Sequence, residues 1–361
     1  MKLMDLKKCI IDLYETGDAF HLIGPPGVGK SDIIRYELRD ILSAHYAEEF
    51  GYWDVLLPTV DAPDIRGFLV PTKDKDGHPS SFFTRSAILP PRDYLAAHPR
   101  GIYLIDERNS ADLLTQKATA PIVLSKRFGE EYLPKDWIIV SASNRVEDRA
   151  GVLRSPTHLV NREKQINIEP DVTSWAMWAE EHQIHPMMVA FAKRMPGVVF
   201  SETVPKKDGP FCTPRSFVAA GKHIARAAGV DKNGNPKMEI PVSSLLQQLV
   251  GASIGDGATA QLFGFLKVGD QLPTIEEIEK DPMGAKCPKD LSAAYAAVQM
   301  CIHHAAPTNV DTLWQYAERL PKELQVSAAL SLVEKGRGAL LNSRRLGEWI
   351  MQNKALIIAS N

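Results

Sequence analysis

The sequence predicts an α/β protein, a five-stranded parallel sheet carrying a phosphate-binding loop and followed by a helical region. Three observations carry that expectation. Short β-rich apolar runs alternate with helical stretches through the first half of the chain. Gly24-Pro-Pro-Gly-Val-Gly-Lys30-Ser31 stands between the first of those runs and a long amphipathic stretch. Beyond Pro170 the pattern becomes almost wholly helical.

Leu3, Leu6, Ile10 and Ile11 recur at helical spacing, and Gly17-Asp18 breaks that helix before a strand over Ala19 to Ile23. Ser31 to Glu49 reads as one amphipathic helix. Asp54 to Leu57, Ile102 to Ile105, Trp137 to Ala142 and Gln165 to Ile168 are apolar, β-branched runs of the kind that buried parallel strands show, which completes five strands. Between the second and third, Gly67 to Val70 and Ser81 to Thr84 flank Asp76-Gly77, a dipeptide suited to a turn with positive φ, so a protruding hairpin is expected over 67–89. Helices follow over Val172 to His182, Pro186 to Arg194, Pro214 to Ala228, Ser243 to Leu266 and Asp290 to His304, with three more to the C-terminus. The expected organisation is a nucleotide-binding domain over 1–169, a helical domain over 170–268 and a C-terminal helical extension over 269–361.

Composition narrows the class. With 361 residues, 44% hydrophobic and 24% charged, the chain has enough material for large cores and is neither a stapled miniprotein nor disordered. A formal charge of −2 provides no global field for nucleic acid or an anionic membrane. Asp5, Lys7 and Lys8 interrupt the first apolar residues, unlike a signal peptide, and no apolar run reaches about 18 residues, so a cytoplasmic protein is expected. Cys9, Cys212, Cys287 and Cys301 lack CxxC spacing and are expected to be reduced. Cys287, Cys301, His303 and His304 lack the close ligand pair that structural zinc sites use.

The stretch from Gly24 through Pro25, Pro26, Gly27, Val28 and Gly29 to Lys30 and Ser31, with Asp32 beyond it, matches G-x-x-x-x-G-K-[ST] between a strand and a helix. Backbone N–H groups from Gly27 to Ser31 can surround phosphates at the positive helix end. Lys30 suits a bridge between β- and γ-phosphates, and Ser31 suits a Mg²⁺ ligand. Ile102-Tyr-Leu-Ile-Asp106-Glu107 delivers two acids at a strand's C-terminal end: Asp106 fits the carboxylate that organises Mg²⁺, and Glu107 the base that polarises water. Asn144, after the next strand, fits a group orienting that water, although a lone Asn also suits a plain turn.

Gly24 to Ser31, Asp106-Glu107, Asn144, Asn161-Arg162 and Thr213-Pro214-Arg215, in that order, resemble an AAA+ ATPase. Asp61-Ala-Pro-Asp-Ile-Arg-Gly67 and Ser174-Trp-Ala-Met-Trp-Ala179 are similar to its MoxR-like branch. The resemblance covers roughly residues 1–268; the last ninety or so match no motif. It implies an αβα core, a helical lid, and a ring, usually hexameric, with ATP and Mg²⁺ between subunits. By position it makes Asn144 the first sensor, Arg215 the second, and Arg162 the arginine finger that reaches the neighbour's γ-phosphate. Arg145, Arg149 and Arg154 lie close enough to compete for that last role, and Arg162-Glu163 stands where the family has Arg-Phe. The 67–89 hairpin matches the pore-lining insert of the branch, where Phe68, Phe82 and Phe83 either grip a partner or pack the hairpin base. The implied activity is ATP-driven remodelling of a protein partner, with a von Willebrand A-domain protein a candidate. The alternative is a motor or subunit of a nucleic-acid-processing complex, which the cancelling Lys73, Asp74, Lys75 and Asp76 do little to support. His185, His303, His304, Met187-Met188 and the pair Trp175 and Trp178 read as structural.

Overall fold

The computed structural model describes residues 1–148, 160–201, 204–205, 208–335 and 343–359. It divides into two units, Met1–Pro170 and Asp171–Asn361.

In the first unit, β1 (Phe20–Ile23), β2 (Gly51–Leu56), β5 (Gly101–Asp106), β8 (Trp137–Ser143) and β9 (Lys164–Asn167) form one parallel sheet in the order β2-β5-β8-β1-β9. β1 therefore lies between the two strands that come last in sequence. That arrangement makes its C-terminal end a topological switch point, where open α/β sheets place their ligands. The two-residue side-chain period divides the apolar runs between the faces. Phe20, Leu22, Ile102, Leu104, Ile138, Val140 and Ala142 pack with Leu6, Ile10, Ile34, Leu38 and Leu42 of the helices on one side. Tyr103, Ile105, Trp137 and Ile139 pack with Leu57, Ile65, Ile122 and Phe128 on the other. An αβα sandwich follows from that division.

The first helix, Leu3–Thr16, ends at Gly17 with φ 67. The stretch after the glycine-rich loop is helical as Lys30–Asp32, a π-wound Ile33–Leu38 and Arg39–Tyr46, closing at Ala47 with φ 50. β3 (Leu69–Lys73) and β4 (Pro79–Phe83) pair antiparallel as the hairpin, with Leu69 opposite Phe83 and Val70 opposite Phe82. Asp74 Oδ1 accepts from the Asp76 and His78 amides and shapes the hairpin tip. Phe68, Phe82 and Phe83 are all exposed. A second small hairpin, β6 (Arg127–Phe128) with β7 (Glu131–Tyr132), and the short helices Ala62–Arg66, Arg92–Ala97, Leu113–Ala118 and Ala120–Ser125 add to the elements read from sequence.

The described part of the second unit is helical and holds two large apolar clusters. Met187, Met188, Phe191, Phe217, Ile224, Val250, Leu262 and Phe265 build one, with Trp175 against it. Val298, Ile302, Leu313, Trp314, Tyr316, Leu332, Leu346 and Trp349 build the other. Buried Glu180 connects them through hydrogen bonds from Gln299 (2.9 Å) and Lys193 (3.3 Å), and Lys193 also reaches Ser331.

The sequence reads one helix over 243–266; the structure has two, Ser244–Ile254 and Asp256–Leu266. Gly255 separates them with φ 77, ψ 160, a left-handed-side conformation that excludes helix continuation. A Cβ there would also lie 2.5 Å from the Pro210 carbonyl oxygen.

Candidate functional site

The loop leaves β1 at Ile23 and enters its helix at Lys30. Gly27 (φ 71) and Gly29 (φ 98) take the positive dihedrals that turn it back over the helix N-terminus. Gly24 runs against β9, where a Cβ would lie 2.9 Å from the Ile168 carbonyl oxygen. Pro25 and Val28 are buried, Pro26, Gly27, Gly29 and Ser31 half-buried, and Asp32 exposed.

Lys30 is only 7% exposed. Its ammonium donates to the carbonyls of Gly24 and Pro25, both at 2.9 Å, and to Asn144 Oδ1 at 3.1 Å. The loop lysine and the amide at the end of β8 are therefore in direct contact. Gly24 N–H donates to the Ser143 carbonyl, which fixes the same two strand ends together. On the next strand Ile105 is level with Ser141, so Asp106 and Glu107 emerge at the same edge. Asp106 is half-buried and Glu107 exposed. Glu107 has φ 48, uncommon outside glycine, and its amide donates to Asp106 Oδ1 at 2.9 Å. Asn109 joins this strand end to the other, donating to the Asn144 carbonyl at 2.7 Å.

Beneath the edge lies a polar network that the sequence reading missed. Arg108 and Glu163 side chains are both 0% exposed and pair through two bonds of 2.7 and 2.5 Å. Arg108 also donates to Ser141 Oγ (3.2 Å) and to His21 Nδ1 (2.9 Å). Since arginine only donates, His21 Nδ1 accepts and its Nε2–H donates to Ser143 Oγ at 2.7 Å. Gln165 donates to Glu163 at 3.0 Å. Burial lowers the His21 pKa, with Arg108 adding to the effect against the pull of Glu163, so the ring stays neutral. Burial alone would raise the Glu163 carboxyl, but the Arg108 guanidinium outweighs it and holds the carboxyl well below its usual range. A signal was present in the sequence: His21 interrupts Phe-His-Leu-Ile, and Ser141 and Ser143 alternate on one face of β8.

Arg162 is exposed and lies at the opposite edge of the sheet, where the strands begin, since Lys164 pairs with Phe20. There it borders a cavity of about 390 Å³ with Asp18, Lys126 and Lys135. Within the chain it is thus separated from the loop. Arg145 is held by Asp148 (2.8 Å), and Arg149 and Arg154 lie outside the described residues. Arg215 belongs to the second unit, exposed in the first turn of Pro214–Ala228, behind a capping box of Thr213 and Ser216. His185, read as structural, caps the helix Pro186–Arg194 through its side chain.

A phosphate loop after the first strand, two acids ending the strand two places away and an asparagine ending the strand between them, on a sheet of this order, define an α/β P-loop NTPase fold of the AAA+ type. No protein-family profile matches the chain, and no curated protein does. Among solved structures it is similar to Thermotoga maritima RuvB (14% identity, 77% of this chain and 74% of that one, TM-score 0.37). It is similar also to C. elegans PCH-2 (13%, 73% and 66%, 0.32) and to Brucella abortus NtrX (14%, 95% and 64%, 0.32). Scores this low add nothing to the assignment, which rests on the strand order and the loop.

Proposed function

We propose that this protein is an ATP-hydrolysing ring ATPase of the MoxR-like kind that remodels or activates a protein partner. The observation carrying the reading is the contact of Lys30 with Asn144 beside Asp106 and Glu107: the loop lysine, the water-orienting amide and the acids share one edge of the sheet.

ATP phosphates would lie over the amides of Gly27 to Ser31, with Lys30 exchanging its carbonyl partners for phosphate oxygens. Ser31 and Asp106 offer a hydroxyl and a carboxylate, the hard oxygen donors that Mg²⁺ takes, so the residues present suit that ion. When bound it would supply charge neutralisation on the phosphates. Glu107, exposed at the strand end, accepts the proton of the attacking water, and Asn144 orients that water. Arg162, on the far edge, serves a neighbour's site, and Arg215 acts from a helical lid over 170–268. The ring is hexameric, a C-terminal helical extension runs over 269–361, and the hairpin over 67–89 presents Phe68, Phe82 and Phe83 to the partner.

Assembly is tested by specific ATPase activity against protein concentration, with sedimentation alongside. Activity should rise and then level off as rings form; a monomer with full, concentration-independent activity contradicts the ring.

A further inference from the structure

Two facts about the strand end at Glu107 need a cause. Glu107 holds a left-handed backbone conformation that is strained for a non-glycine residue, so its surroundings must impose it. The next residue, Arg108, is a guanidinium with no exposure at all, on a sheet face that is otherwise apolar at Tyr103, Ile105 and Ile139. A buried ion pair is seldom worth more to stability than well-packed apolar residues of the same size, so stability gives little reason for this one.

Its geometry gives another. From the edge that carries Glu107, the Arg108 side chain passes Ser141 on β8 and His21 on β1 and ends on Glu163, at the start of β9. Glu163 is the residue after Arg162. His21 in turn donates to Ser143, the residue before Asn144. Each end of the network is thus one covalent step from a residue proposed to act on nucleotide. We infer that Arg108, Glu163 and His21 are positioning residues, a buried brace that sets Glu107 and Asn144 for water attack and joins them mechanically to Arg162. Arg108 fixes the backbone on the C-terminal side of Glu107, as the strand fixes it on the other. His21, neutral and with one tautomer set by Arg108, fixes the β8 end through Ser143. Because the guanidinium grips Glu163 with two parallel bonds, displacement of the Arg162 segment by a neighbouring subunit is passed to the hydrolytic edge by a rigid fork.

The inference rests on the proposed hydrolytic roles of Glu107 and Asn144. Its test uses the full chain with Arg108→Met and Glu163→Leu combined, an apolar replacement that removes both charges together. ATP affinity is measured by calorimetry and hydrolysis under single turnover. The expected result is a cooperatively folded protein, ATP Kd within about threefold, and turnover reduced about tenfold or more, the pattern of an interaction used only in the transition state. Should that variant not fold, Arg108→Lys keeps the charge but not the fork, and should show the same split of slow turnover at unchanged Kd. Wild-type turnover in the folded variant overturns the inference, and so does a parallel loss of affinity and turnover, which marks a purely structural pair. If instead wild-type protein fails to hydrolyse ATP, or Glu107→Gln hydrolyses as fast as wild type, it is the proposed function that fails.

Discussion

His185 offers a stability measurement whose size follows from its surroundings. It is 3% exposed; its Nδ1 accepts from the Met187 amide at 3.3 Å, which places the proton on Nε2, facing the Lys237 carbonyl at 3.1 Å. Burial lowers its pKa from 6.5 to about 4, although the Lys237 carbonyl favours the charged form. Between those values the unfolded chain binds a proton that the native chain does not. The contribution is therefore complete above the unfolded pKa and is lost as pH falls toward the folded one. Over the whole window it amounts to about 3 kcal/mol, and by about pH 5 roughly 2 kcal/mol has gone. Protonation also removes the acceptor that caps Pro186–Arg194. Other groups titrate in this range, so the test is a comparison with His185→Asn, which can still cap but cannot titrate. Hydrogen exchange in the 186–194 segment, corrected for intrinsic rates, should show wild type losing about thirtyfold more protection than the variant between neutral pH and about pH 5. Equal losses would refute the neutral-cap reading.

Two further outcomes follow from the site and the fold. Arg162→Ala should lower turnover by about 10³-fold with ATP affinity nearly intact, and mixing it with Glu107→Gln should restore activity, because a mixed interface pairs an intact base with an intact arginine; no recovery in rings of confirmed composition would remove the trans role and turn attention to Arg145, Arg149 and Arg154. Gly255→Ala should destabilise the second unit by roughly 2 kcal/mol or more, from a φ of 77 and a Cβ placed 2.5 Å from Pro210 oxygen; urea unfolding of the two proteins side by side measures it, and an unchanged midpoint refutes the argument.

The middle of the sheet was legible because its strands are buried on both faces and read as bare apolar runs: Ile102 to Ile105 and Trp137 to Ala142 have no exposed residue. Their order was not, since the same five runs can pair in many ways, and only the structure places β1 between β8 and β9. The glycine-rich loop and the two acids stood out because chemistry demands those residue types at those spacings. Arg108, His21 and Glu163 were not, because a single polar residue in or beside a strand looks the same whether it faces water or another polar residue three strands away. Gly255 fell inside an apolar run that kept helical period on both sides, so periodicity carried the helix through a residue whose dihedrals end it. The short helices and the small hairpin are held by packing on the sheet more than by their own residues, and local pattern carries little trace of them.

The central claim, ATP bound on the loop and hydrolysed by Glu107, is tested most directly by calorimetric ATP affinity and steady-state turnover measured together on Lys30→Ala and Glu107→Gln. Lys30→Ala should lose detectable binding, because it removes the loop's own charge that meets the β- and γ-phosphates. Glu107→Gln should bind ATP as wild type does and turn it over roughly 10²-fold more slowly or worse. Equal loss of binding in both variants, or full turnover in Glu107→Gln, would contradict the account.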